Sequence, residues 1–315
     1  MSADEKAVGP FADPRTFVPH KYEERTVDLG EVVMNYAVAG SSDKPALLLV
    51  PGQTESWWGY EGAMDILKDD FQVFAVDLRG QGRSSWTPKR YTLDNMGNDL
   101  VRFIATVIQR PVISSGCSSG GVLSAWLSAY AMPKQIRATV WEDPPLFASE
   151  RTPIIGHSIR QQVVGPMFER FRDHLGDQWK VGAWESMAES AKLDPSPFLR
   201  MQPKEPPQNL KEYDPEWGRA FWEGTVALSC PHERMLSQVK APVLLTHHFR
   251  HVDPESNILI GAMSDLQAAH VCKLVKAAGC AIDYQSLPDA AHAMHTTDPT
   301  RFAKTLMAWT SQLPD

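Results

Sequence analysis

Cysteine is scarce in this chain, with four residues at positions 117, 230, 272 and 280 among 315. No two form a Cys-x-x-Cys pair and none has a metal-type spacing to histidine. A disulfide framework and a zinc centre are therefore not expected, and reduced thiols in a cytoplasmic protein fit best. Positive charge is also in short supply: the formal net charge is −7, which leaves no electrostatic footprint for nucleic acid or an anionic membrane. Nowhere do 18 apolar residues run without interruption, so no membrane span is expected. The stretch from Met1 to Arg25 is polar, without a basic region leading into an apolar one, and gives no export signal. With Pro10, Pro14 and Pro19 it is expected to form a polar N-terminal arm over residues 1–25.

What the chain holds in quantity is enzyme-like. Ten Trp and 24 Pro suit aromatic-lined surfaces and long structured loops. At 315 residues, one large α/β domain carrying an insertion fits better than two equal domains. Val27 to Leu29 and Val32 to Val38, split by Gly30-Glu31, predict an opening hairpin. Ala46 to Val50 and Phe71 to Val76 are apolar runs of strand length. Each is followed by apolar residues at helical spacing, Trp57 to Lys68 and Leu93 to Ile108. Further on come a strand over Ala138 to Trp141, a strand over Val243 to Thr246, a helix over Leu266 to Ala278, a strand over Ala281 to Ser286 and a helix over Pro299 to Ser311. Such alternation predicts a mostly parallel sheet with helices on both faces and ligands at the carboxyl ends of its strands. Between Pro144 and Val239 the rhythm stops, and Pro, Trp and short helical patterns take over. We expect an inserted, mainly helical cap over 144–239, with the core divided between 26–143 and 240–315.

Between those elements lies Gly116-Cys117-Ser118-Ser119-Gly120, entered from the apolar run Pro111 to Ile113 and left through a helical pattern over Val122 to Tyr130. That layout is a nucleophile elbow. A serine on a tight strand-to-helix turn needs neighbours without a Cβ two positions away on either side, and Gly116 and Gly120 supply them. A serine hydroxyl is a weak nucleophile at neutral pH, so the chain must also provide a histidine base and a carboxylate to orient it. His292 lies between the last strand and the last helix, where a base belongs, with His295 three residues on as the other candidate. The cluster His247, His248 and His251 lacks a supporting carboxylate pattern and is expected to be surface or hydrogen-bonded histidines, with a metal site the lesser alternative. For the acid, Glu142 and Asp253 each follow a strand whose loop can reach the histidine. Asp265 is weaker, because Ser264-Asp265-Leu266-Gln267 has the form of a capping box. Glu142 is the expected acid, since Pro144-Pro145 would hold its carboxylate at the pocket mouth. Asp253, before Pro254, has the character of a solvated turn residue and is the alternative acid. The oxyanion hole needs two backbone N–H groups, and Ser119 and Gln53 are placed to give them. Asp77 to Ser84 lacks the Gly-Lys-Ser/Thr ending of a phosphate loop, and Arg79 or Arg83 is expected to tie loops together there.

Taken together, the elbow, the late histidine, the Pro51-Gly52-Gln53 loop, the Asp77 to Ser84 turn and the insertion resemble the α/β-hydrolase superfamily. Pro51 stands where that superfamily often has histidine, and Ala291 where it often has glycine. Within it, Gly30 to Tyr36, Trp86-Thr87-Pro88, Ala125 to Ala131, Glu212 to Phe221 and Ser264 to Ala268 are similar to the zearalenone hydrolases, which open the resorcylic acid macrolactone of a fungal mycotoxin. The resemblance implies an eight-stranded, mostly parallel sheet, a serine triad whose acid is Glu142 rather than Asp253, no cofactor and no metal, and a ring-opened product able to lose carbon dioxide. The expected partner is a small-molecule lactone or ester, received by Gly52 and the cap aromatics Trp184, Trp217, Phe221 and Trp222. A carboxylesterase or carbon–carbon bond hydrolase with the same triad is the alternative enzyme. A ligand-binding receptor on a hydrolase scaffold is the alternative of another class. A homodimer through the cap or an edge strand is a further expectation.

Overall fold

Strands that are apolar at every position must be covered on both faces, and the computed structural model, which describes residues 20–175, 184–192 and 207–314, covers them so. In chain order the strands are β1 (Glu24–Asp28), β2 (Val33–Ala39), β3 (Ala46–Val50), β4 (Gln72–Val76), β5 (Val112–Cys117), β6 (Ile136–Glu142), β7 (Val243–His247), β8 (Arg250–Val252), β9 (Leu259–Gly261) and β10 (Ile282–Ser286). The helices of the core are α1 (Glu61–Leu67), α2 (Leu93–Phe103) and α3 (Ser119–Tyr130). Between β6 and β7 lie α4 (Ile159–Gln162), α5 (Val164–His174), α6 (Trp184–Lys192), α7 (Gln208–Lys211), α8 (Pro215–Glu223) and α9 (His232–Leu236). The chain then returns to the core through α10 (Asp265–Ala277), α11 (Met294–Thr297) and α12 (Pro299–Thr310). The main sheet has the order β1-β2-β4-β3-β5-β6-β7-β10. β2 pairs antiparallel with β1 and β4, and every later pairing is parallel. This is the α/β-hydrolase fold.

The two-residue period of β3 divides the core. Leu48 and Val50 enter the cluster under α2 and α3, whereas Leu47 and Leu49 enter the one under α1 and α12. Full burial of each leucine contributes about 1.5–3 kcal/mol. β5 ends at the elbow, where the parallel register aligns Gly116 with Trp141 and Cys117 with Glu142. A Cβ on Gly116 would run into the Gly120 carbonyl, and a Cβ on Gly120 into the Val50 and Pro51 carbonyls. Strand and helix therefore touch backbone to backbone.

Several boundaries differ from the sequence expectation. The helical pattern from Trp57 begins as a 3-10 turn, Trp57–Tyr60, before α1. The one ending at Ile108 finishes in a π-helical turn, Ile104–Ile108, closed by left-handed Gln109 at φ 59°. The β8–β9 hairpin and α11 were not anticipated. β1 starts inside the expected arm, and residues 1–19 of that arm lie outside the described residues. Ser264 and Gln267 do form a reciprocal capping box, and Arg79 makes a two-pronged pair with Asp99, with 2.6 and 2.8 Å contacts. No helix among the described residues is long and apolar enough to cross a membrane.

Gly116→Ala and Gly120→Ala should each lower unfolding stability by at least about 3 kcal/mol, the upper end of ordinary overpacking, because the obstacle is backbone and cannot swing away. Gly59→Ala, with nothing closer than Thr296 Oγ1 at 3.7 Å, should stay within about 0.5 kcal/mol of wild type. Urea denaturation of the three variants checks both.

Candidate active site

Ser118 sits at φ 55° and ψ −122°, a conformation β-carbon residues adopt only where the surroundings force it. The strained turn lifts its side chain into a cavity of about 630 Å³ at the carboxyl ends of the strands. Ser119 is the first residue of α3, so its N–H is one of the helix's unpaired donors and points out of the helix start. Gly52 comes so close that a Cβ there would stand 3.2 Å from the Ser118 Cβ. The loop around it is tightly pinned. Glu55 Oε2 accepts the Gly52 N–H at 2.7 Å. Gln81 donates to the carbonyls of Gly52 and Glu55 and accepts the Thr54 N–H at 2.8 Å. The Gln53 side chain donates to the Tyr213 hydroxyl at 2.7 Å, and Gln53 lines the cavity together with Ser118 and Ser119.

The expected acid is corrected by the geometry. The carboxylate against His292 belongs to Asp143: Oδ2 lies 2.6 Å from Nδ1. Glu142 instead takes His295, accepting its backbone N–H on Oε1 and its Nδ1–H on Oε2, both at 2.9 Å. The reason is the pleat. Glu142 is the last residue of β6 and aligns with Cys117, so its side chain shares the face occupied by Cys117, Tyr60 and His295. Asp143 is one residue past the strand, at φ 43°, a left-handed turn that Asp tolerates better than most, and it swings to the cavity side. Two adjacent acids and two histidines three apart are the signal that was present in the sequence; which acid serves which histidine depends on the residue at which β6 ends. Asp253 is engaged elsewhere. Its Oδ1 accepts from the Glu255 and Ser256 backbones and from the Ser256 hydroxyl in its own turn.

His248, in the cluster expected to be surface or hydrogen-bonded, is hydrogen-bonded and supports the pair from behind. Its backbone N–H donates to Asp143 Oδ1 at 2.9 Å, and its Nδ1 lies 2.8 and 3.1 Å from the carbonyls of Ala291 and His292. It thus ties the acid to the histidine loop. Burial pushes the Asp143 carboxyl up, but the His292 hydrogen bond and charge and the His248 contacts outweigh it and hold it below the ordinary range. Enclosure by protein works against a charge on His292, yet the Asp143 hydrogen bond, together with the negative charges of Asp143, Glu55 and Glu142, drives it up to about 9. Half of its side-chain surface, 50 %, remains open and it lines the cavity.

Cys117, Glu142 and His295 bring a thiol, a carboxylate and an imidazole within 4.8 Å of one another. They could in principle hold a metal, but both Glu142 oxygens are already engaged by His295, and Tyr60 stacks on its ring at 4.0 Å. A buried Glu142–His295 pair, with His295 Nε2 left without a hydrogen-bond partner among the described residues, is the better description. Of the expected binding residues, Gly52, Trp217 and Phe221 line the cavity. Trp184 is buried within the inserted segment outside that lining, and Trp222 packs where a Cβ on Gly165 would project.

Residues 45–183 match the family model described as alpha/beta hydrolase fold. The chain is 30% identical over 107 residues to 3-oxoadipate enol-lactonase 2 of Acinetobacter baylyi, covering 33% of this chain and 39% of that one. It is 31% identical over 104 residues to epoxide hydrolase 4 of Mus musculus, covering 32% and 29%. The matches thus span well under half the length of these curated relatives. The structure superposes on the enol-lactonase from Burkholderia xenovorans LB400 with a TM-score of 0.65 at 15% identity, covering 91% of this chain and 100% of that one.

Asp143→Asn should lower kcat by roughly 10³–10⁴, the scale seen when a histidine loses its orienting carboxylate, with the fold intact. Glu142→Gln should act mainly on stability, costing about 3–5 kcal/mol as a buried pair is broken. Paired kinetics and melting of the two variants test the assignment, which fails if Glu142→Gln is the variant that loses the chemistry. A base must be neutral to accept a proton, so kcat/KM should climb with pH to a half-maximum near 9, the His292 value. Stability has the opposite sign. The raised histidine contributes fully below its unfolded value near 6.5 and loses that contribution as pH rises through about 9. A pH–rate profile and melting temperatures across pH 6–10 check the opposed trends.

Proposed function

We propose that this chain, with its α/β-hydrolase fold, is a serine hydrolase of carboxylic esters and lactones that works through an acyl-enzyme. The observation that carries the reading is the joint opening of Ser118 and the Asp143-held His292 onto one largely apolar cavity, beside the Gln53 and Ser119 N–H groups. His292 takes the Ser118 proton as Oγ attacks the carbonyl carbon. The two N–H groups receive the oxyanion, each worth about 3 kcal/mol of transition-state stabilisation. His292 then gives the proton to the leaving alcohol. A water molecule, deprotonated by His292, attacks the acyl-enzyme, and collapse returns the proton to Ser118 with release of the acid.

We further propose a resorcylic acid macrolactone of the zearalenone type as substrate. The similarity of five sequence stretches to the zearalenone hydrolases supports it, as does a cavity of about 630 Å³ with Trp217 and Phe221 in its wall. In a lactone the leaving alcohol stays tethered to the acyl group, so water must intercept the acyl-enzyme before re-closure. An enclosing insertion that holds the chain away from Ser118 favours that outcome.

Incubation with zearalenone, followed by liquid chromatography with mass detection, should show ring opening by wild type and a loss of roughly a thousandfold or more in Ser118→Ala. Turnover of simple 4-nitrophenyl esters without the macrolactone would retain the reaction class and remove the substrate. Failure on every ester and lactone would remove the hydrolase reading.

A further inference from the structure

Two polar groups in the cavity have no task in the ester chemistry. Arg160, in α4, is only 3 % exposed and lines the cavity. Its Nε has no hydrogen-bond partner among the described residues, and its guanidinium carbon lies over the Phe221 ring, 4.8 Å from the centroid. Glu150 is the carboxylate that acts on it, from beyond hydrogen-bonding range, and Glu150 Oε1 is engaged by the His232 backbone N–H at 2.8 Å. Burial lowers the guanidinium to about 10, which still leaves it charged at neutral pH. His232 is fully buried and lines the same cavity. Its Nδ1 accepts the Phe147 N–H at 2.8 Å, which fixes the ring proton on Nε2, and Nε2 has no partner among the described residues. Burial and the Arg160 charge push this histidine down to about 3, so it is a neutral donor.

An unsatisfied buried donor costs about 1–3 kcal/mol, and a buried cation without a tight counter-ion costs more. Leucine at position 160 would line an apolar wall without that penalty. Arg160 Nε and His232 Nε2, each buried without a partner among the described residues, belong to two residues that line one cavity, and a charged oxygen there would give both donors an acceptor.

We propose that Arg160 and His232 form a subsite, on the inserted segment's wall of the cavity, that binds an anionic oxygen of the substrate, carboxylate or phenolate, while the scissile carbonyl meets Ser118. The proposal rests on the hydrolase reading for its second half only. It makes substrate selection depend on a charged oxygen as well as on the apolar shape of the pocket.

Two arms distinguish the oxygen sources. In the first, kcat/KM is measured for 4-nitrophenyl hydrogen glutarate, which carries a free carboxylate, and for 4-nitrophenyl hexanoate, which does not. Arg160→Leu should lower the ratio of the two at least tenfold, His232→Asn should lower it less, and Arg160→Lys should restore part of it. In the second, calorimetry follows zearalenone and its dimethyl ether binding to Ser118→Ala, with and without Arg160→Leu. A phenolate-reading site loses at least tenfold affinity for zearalenone and little for the ether. Loss in either arm supports the subsite and names its oxygen. A glutarate-to-hexanoate ratio and a zearalenone affinity both indifferent to Arg160→Leu, in variants that circular dichroism shows folded, would overturn it. Arg160-dependent binding without turnover leaves the subsite standing and removes the hydrolase reading, and turnover indifferent to Arg160 does the reverse.

Discussion

Backbone contact at Gly116 and Gly120 is the constraint on which the rest of the site depends. Because neither residue has a Cβ, β5 can turn directly into α3 against the carbonyls of Val50 and Pro51, and the strain of that turn falls on Ser118. The strain persists because both sides are over-determined: β5 is paired with β3 and β6 along its length, and α3 is buried along nearly its whole length. The same turn sets the start of α3 directly after Ser118 and brings Gly52 within contact of it. The strained Ser118, the Ser119 N–H and the Gly52 loop are thus brought together by one close approach.

Charge is distributed around that turn in two layers. In the cavity wall Asp143 holds His292, and behind it the fully buried Glu142 holds His295, with Glu55 Oε2 4.0 Å from His295 Nε2. Enclosure alone would discharge both imidazoles; the carboxylates more than offset it and raise both. Glu55 belongs to both layers, since it also accepts the Gly52 N–H. The charge beside His292 and His295 and the hydrogen bonds that shape the Gly52 loop therefore share a carboxylate.

The inserted segment is joined to this machinery by polar contacts and is not merely laid over it. Gln53 binds Tyr213, the Asn209 side chain donates to the Thr54 carbonyl at 2.6 Å, and the Tyr91 hydroxyl donates to Asp214. The aromatic rings of Phe168, Phe171, Tyr213, Trp217 and Phe221 pack on one another within that segment, which is why only some of them face the cavity. Arg160 and His232 break the apolar character of the wall, and among the described residues Arg160 Nε and His232 Nε2 have no partner.

Local physics made much of this legible. Apolar runs of strand length located β3, β4 and β7 to within a residue or so, the Gly-x-Ser-x-Gly spacing located Ser118, and the position before the last helix located His292, because each depends on neighbours close in the chain. Asp143 was not among the acids the sequence reading weighed, although it adjoins Glu142: a one-residue shift in the end of β6 exchanges the faces of the sheet, and hydrogen bonding to His292 and His295, some 150 residues away, settles which carboxylate turns where. The role of His248 in tying Asp143 to the histidine loop, the exclusion of Trp184 and Trp222 from the cavity, and the convergence of Arg160 with His232 were likewise decided by tertiary structure. The sequence by itself determined which groups could react; how they pair is a property of contacts between distant segments, and local pattern carries no information about those.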